Sequence, residues 1–105
     1  MLDLKLTGTP SQIEWANVIR PQVISEFERV AKAFEAVAMK QVDPAQSETR
    51  ELIGIVAEKQ AEVMANSSAG YFIQEWRELN GQVRQFIAKD SRFQAIQAKR
   101  AARRQ

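Results

Sequence analysis

Seven cations crowd the last 24 residues of the chain: Arg84, Lys89, Arg92, Lys99, Arg100, Arg103 and Arg104, against a single acid, Asp90. Cation clusters bind phosphate backbones by releasing counterions, and they also dock on acidic protein surfaces. Near the end of a helix the same charges complement the macrodipole, and a solvated tail without any ligand has this composition too. The rest of the chain leans the other way. Residues 1–81 carry eight Lys/Arg and twelve Asp/Glu, a net −4, while residues 82–105 carry +6. A dipolar layout of this kind concerns partners rather than fold. No helix-turn-helix or zinc-finger pattern accompanies it, so any nucleic acid would be held by its backbone and not read for sequence.

A second candidate contact is Tyr71. It stands next to Phe72 in "AGYFIQEWREL", and neighbouring helical positions point about 100° apart. Phe72 falls on the face of Ile73 and Trp76 and reads as core. Tyr71 is left at the boundary, either as a contact residue or with its hydroxyl simply in water.

Enzyme chemistry has little to work with. The chain contains no histidine and no cysteine, which removes the usual general base near neutral pH, thiol nucleophiles and every Cys/His zinc site. There is no phosphate-binding glycine loop, no Gly-x-Ser-x-Gly elbow, no His-Glu-x-x-His and no Asp-x-Asp-x-Asp-Gly calcium loop. No catalytic, cofactor-binding or metal-ligating residue is nominated, and the expectation is a non-enzyme without cofactors.

The elements that must position these residues are helical. "TGTPSQIEWANVIR" opens the first: Thr9 caps, Pro10 takes the first helical position, and Gln12 completes a Thr-x-x-Gln box. Ile13, Ala16 and Ile19 follow on one face with Trp15 beside them. Pro21 predicts a kink or break after Arg20 and a second helix running to about Gln41. That helix carries Ile24, Phe27, Ala31, Phe34 and Ala38, flanked by Val23, Val30 and Val37. "VDPAQ" predicts another start, with Asp43 as cap, Pro44 first and Gln46 closing a second box. Leu52, Val56, Val63 and Met64 form its stripe, and Gly54 marks either a close crossing or a tolerated glycine. Ser67 or Ser68 caps the next helix, which "NG" at 80–81 ends. Val83, Phe86 and Ile87, then Phe93 and Ile96, predict one or two more, with a restart at Asp90 or Ser91. "LDLKL" alternates with period two but is too short for a sheet.

The expected fold is all-α, a compact bundle of four to five helices with no significant sheet. One hundred and five residues suit one domain, here 1–97, followed by a basic tail, 98–105, with no large apolar side chain and an expectation of fraying. Trp15 and Trp76 read as core, with an anchoring role at a protein interface as the alternative. As a core residue, Trp15 would cost about 3–5 kcal/mol on truncation to alanine. No apolar run approaches the ~20 residues of a membrane span, and the first residues lack the makings of a signal peptide. These features, with the lack of cysteine, fit a cytoplasmic protein without a membrane partner.

Leu6-Thr7-Gly8-Thr9, then Gln12-Ile13, Trp15-Ala16 and Ile19-Arg20, resembles a signature of small proteins from phages and mobile elements, "Leu-x-Gly-Thr/Ser-x-x-Gln-Ile/Val-x-Trp-Ala". Ser68-Ala69 with Tyr71-Phe72-Ile73 is similar to their second block. At least one protein with a similar start is an anti-CRISPR protein. What the resemblance implies is a mobile-element origin and an inhibitor that binds a host defence complex, a CRISPR effector, by occlusion. The alternative from the residues themselves is a nucleic-acid-binding accessory protein using the basic end. Neither reading specifies an oligomeric state.

Overall fold

The computed structural model describes residues 5–79 and 81–104. Five helices follow one another: α1 (Pro10–Ala38), α2 (Ala45–Met64), α3 (Ala69–Glu75), α4 (Gln82–Ala88) and α5 (Ser91–Arg103). The fold is all-α, as the periodicity predicts. The long α1 packs antiparallel to α2 across a short turn. α3 and α4 lie against α1, and α5 returns along α2.

The opening motif builds the start of α1 as expected. Thr9 Oγ1 accepts from Gln12 N, and Gln12 Oε1 accepts from Thr9 N. Gly8 has φ +141°, and a Cβ there would stand 2.8 Å from Gln12 Oε1 and 3.2 Å from the Ala69 methyl. A residue with a side chain therefore fits neither the backbone angle nor the space. Just before it, Thr7 N donates to Ser67 O (2.7 Å) and Ala69 N donates to Thr7 O (2.9 Å). This single parallel bridge clasps the segment before α1 to the linker between α2 and α3. "LDLKL" begins outside the described residues; of it only Lys5 and Leu6 lie within them.

Pro21 does not break the first helix. α1 runs unbroken for 29 residues through it. Proline in a helix interior costs about 3 kcal/mol. The buried stripe explains why the helix continues: Ala16 and Ile19 before the proline and Val23, Phe27 and Val30 after it belong to one core. A break would turn half of them away. Pro21 itself lies on the exposed side, and half-buried Arg20 stacks its guanidinium 5.6 Å from the Phe72 ring centre.

The start of α2 also differs from expectation. Pro44 is the N-cap and makes no side-chain cap bond. Asp43 Oδ1 instead accepts from Ser47 N (3.0 Å) and Ser47 Oγ (2.6 Å). Gln46 does not close a box. Its Nε2 donates to Ala38 O (2.9 Å), joining α2 to the last turn of α1. Gly54 faces open space: a Cβ there would meet nothing within 4 Å, so it marks no close crossing.

Ser68 caps α3 through Tyr71 N (3.2 Å). The helix ends at Glu75, earlier than the Asn80-Gly81 stop would place it; Asn80 lies outside the described residues. Gly81, at φ +75°, instead opens α4. Trp76, at the end of α3, is only 1 % exposed. Its ring lies 5.8 Å from that of Phe27 and 5.4 Å, edge-on, from that of Phe86. It ties α1 and α4 together and is a core residue as expected. Asp90 caps α5 through Arg92 N (2.8 Å).

The basic end continues the last helix. α5 is helical through Arg103. The segment lacks an apolar face, but a polar one holds it against α2 through Arg100 and Arg103.

Candidate functional site

Glu48 and Thr49, in the first turns of α2, are the two buried polar residues of the described chain. Both meet arginines from α5. Arg103 Nη1 donates to Glu48 Oε2 (2.8 Å) and Arg103 Nη2 to Oε1 (2.5 Å). Arg100 Nε donates to Glu48 Oε1 (3.2 Å), while its Nη2 donates to Thr49 Oγ1 (2.8 Å) and Ala45 O (3.2 Å). Thr49 Oγ1 donates its own proton to Gln41 Oε1 (2.6 Å). Hydrogen bonds from Arg103, and then from Arg100, outweigh the burial of Glu48 and lower its carboxyl pKa to about 2. Sequence reasoning did not single out Glu48. Its signal in the sequence is a carboxylate four residues before Leu52, on the line of the buried stripe.

The other cations divide between paired and free. Arg92 Nη1 reaches Glu58 (2.6 Å) and its Nη2 reaches Asp90 (3.0 Å), with Lys59 3.5 Å from the same carboxylate. The Arg92 hydrogen bonds hold the Asp90 carboxyl well below the usual range. Arg84 stacks its guanidinium 5.6 Å from the ring centre of Phe34. Lys89 and half-buried Tyr71 meet on the wall of a cavity of about 210 Å³ between α3 and α4, with Trp76 and Phe86 behind them. Trp76 Nε1 is buried without an acceptor. Lys99 is exposed. Arg104 is exposed too and lines a cleft of about 280 Å³ with Gln41, Ala45, Arg100 and Arg103. The eight nominated residues therefore form no single surface. Three arginines chiefly hold the fold, and the remainder point to separate regions.

Trp15 requires the clearest correction. It is 46 % exposed, not core, and Val18, one turn on, is 56 % exposed. The buried line of α1 is Ala16, Ile19, Val23, Phe27 and Val30. Trp15 precedes Ala16, and Val18 precedes Ile19, by one residue each, so each lies about 100° off that line. The pair forms an apolar step on the outer side of the helix at spacing i, i+3. The signal in the sequence is this constant offset, because the mere presence of tryptophan on an amphipathic helix does not say which side it takes.

At the other end of α1, Met39 is 74 % and Val42 80 % exposed, with Val37 also uncovered. No described helix is long and apolar enough to cross a membrane. Comparison with family models, curated proteins and solved structures found no match.

Proposed function

We propose that this chain is a small non-enzymatic inhibitor of the anti-CRISPR type, which binds a host defence complex and occludes a surface the complex needs. The observation that carries the binding role is the exposed Trp15–Val18 step. Tryptophan is among the residues most enriched at binding hot spots. Here it sits on a 29-residue helix whose buried face is locked into the core. A rigid platform loses little conformational freedom on binding, so more of the contact energy is kept. The defence-complex assignment draws its support from the resemblance of the residues around this same tryptophan, Leu6-Thr7-Gly8-Thr9 and Gln12 through Arg20. The nucleic-acid reading of the basic end has less support, because its cations form no continuous surface: Arg92 pairs with Glu58 and Asp90 at the start of α5, while Arg100 and Arg103 share Glu48 near its end.

The test is phage protection in a CRISPR-immune host, together with co-purification from nuclease-treated lysate. Expression is expected to protect against one effector type and to retain an effector subunit, and Trp15→Ala is expected to abolish both. Failure to protect against any effector type, with no effector subunit retained, removes the reading.

A further inference from the structure

We propose that the turn between α1 and α2, with the arginine cleft beside it, is a docking surface for an anionic lipid bilayer. The proposal stands apart from the Trp15 surface: residues 15 and 39 are about 36 Å apart along α1.

Three of the five exposed large apolar residues of the described chain, Val37, Met39 and Val42, gather at this turn. α1 alone accounts for about 43 Å of a molecule 54 Å long. The turn at its C-terminal end thus stands at one extremity, where it can meet a planar surface before the rest of the body does.

The polar half of the surface is adjacent. Gln41 and Ala45, on either side of the turn, line the cleft with Arg100, Arg103 and Arg104. Thr49 donates to Gln41 and accepts from Arg100, so turn and cleft form one hydrogen-bonded unit. Glu48 offsets one of the three guanidinium charges and orients Arg100 and Arg103 from behind. Lys40 adds a further cation between Met39 and Gln41. The other acid of the turn, Asp43, accepts from Ser47. Glu35, in the last turn of α1, pairs with Arg50 from α2. Five cations (Lys40, Arg50, Arg100, Arg103 and Arg104) against the three acids Glu35, Asp43 and Glu48 leave this end net positive.

The pairing of charge with apolar side chains selects the occupant. A nucleic-acid backbone would satisfy the cations and leave Met39 and Val42 in water. An anionic leaflet supplies phosphates at the headgroup level and acyl chains a few ångströms deeper, which suits aliphatic side chains flanked by Lys and Arg. A surface contact of this kind needs no spanning helix. Each cation near such a leaflet strengthens partitioning about fivefold.

The experiment is co-sedimentation of the full chain with phosphatidylcholine vesicles, with and without phosphatidylserine, alongside a DNA duplex titration. Binding is expected only with phosphatidylserine and to weaken as salt rises. Lys40→Gln with Arg104→Gln is expected to lower partitioning about 25-fold. Met39→Ser with Val42→Ser is expected to lose binding at an unchanged melting temperature, since none of these four side chains is core. No binding to phosphatidylserine vesicles, or equal binding to neutral ones, overturns the proposal. Full binding by the Met39/Val42 variant overturns it as well. Duplex binding that depends on Lys40 and Arg104 but ignores Met39 and Val42 overturns it in favour of nucleic acid.

Discussion

Arg103 and Glu48, 55 residues apart in the chain, meet fork to fork: Nη1 to Oε2 at 2.8 Å and Nη2 to Oε1 at 2.5 Å. Bidentate pairs of this kind fix orientation as well as proximity. With Arg100 beside it, the pair holds the last turn of α5 against the first turns of α2. Glu48→Gln keeps the shape and removes the charge. The expected outcome is fast amide exchange over residues 98–103 with the rest of the bundle still protected, read by hydrogen exchange.

The same carboxylate makes part of the stability pH-dependent. The Glu48 pKa falls from 4.5 to about 2 on folding, chiefly through Arg103. A lowered carboxylate pKa contributes stability that is fully present above the unfolded value and is lost as pH falls through the folded one. Asp90 shifts in the same direction. The melting temperature should therefore decline between about pH 4.5 and 2, and Glu48→Gln should be less stable at neutral pH and show a shallower decline in a pH series.

Trp15 and Trp76 are expected to separate cleanly. Trp76→Ala removes a fully buried ring and should cost about 3–5 kcal/mol. Trp15→Ala, at a half-exposed position, should cost about 1 kcal/mol or less while removing partner binding. Denaturant melts beside a pull-down distinguish the two. A loss at Trp15 as large as that at Trp76 would return Trp15 to the core.

Two glycines make an opposed pair. Gly54→Ala meets open space in a helix interior and should stabilise by about 1 kcal/mol. Gly8→Ala meets Gln12 and Ala69 at a positive φ and should destabilise by more than about 1 kcal/mol. Thermal melts of the two variants check both signs.

Pro21→Ala restores the missing donor to the Asn17 carbonyl. The gain in helix propensity, partly offset by a freer unfolded chain, should leave the variant more stable by about 2 kcal/mol, with unchanged helicity by circular dichroism. A rise in helicity would mean that the proline does interrupt α1 in solution.

The helices and most of the core are readable from periodicity. Phe27, Leu52, Val56, Phe72, Trp76 and Ile87 all fall on apolar stripes that a 3.6-residue repeat reveals. Pro21 shows where local rules stop. Its cost is set by one hydrogen bond and one steric clash, whereas the decision to continue belongs to the five buried residues around it, which only the assembled core brings together. The basic end fails for the complementary reason. Composition shows seven cations, but Glu48 and Glu58, which occupy three of them with Asp90, lie 34 to 55 residues away in the chain. Charge counted along the sequence therefore overstates the charge offered to a ligand. Trp15 is ambiguous in the sequence because amphipathic helices place aromatic residues at the rim of the stripe as well as within it.

The clasp between Thr7 and the linker at Ser67–Ala69 has a consequence for the order of events in folding. It joins positions 60 residues apart through two backbone bonds and cannot close until the α1–α2 hairpin has brought its ends together. Closing so long a loop beforehand would spend chain entropy with little contact in return. We therefore expect the clasp to form late, after the rate-limiting barrier is crossed. Contacts of that class leave the folding rate almost untouched and act on the escape rate from the native state. Its contribution would be to the lifetime of the folded molecule: weakening it at Gly8, or at Thr7, whose Oγ1 also donates to Ser67 O, should shorten that lifetime while refolding proceeds at its usual speed.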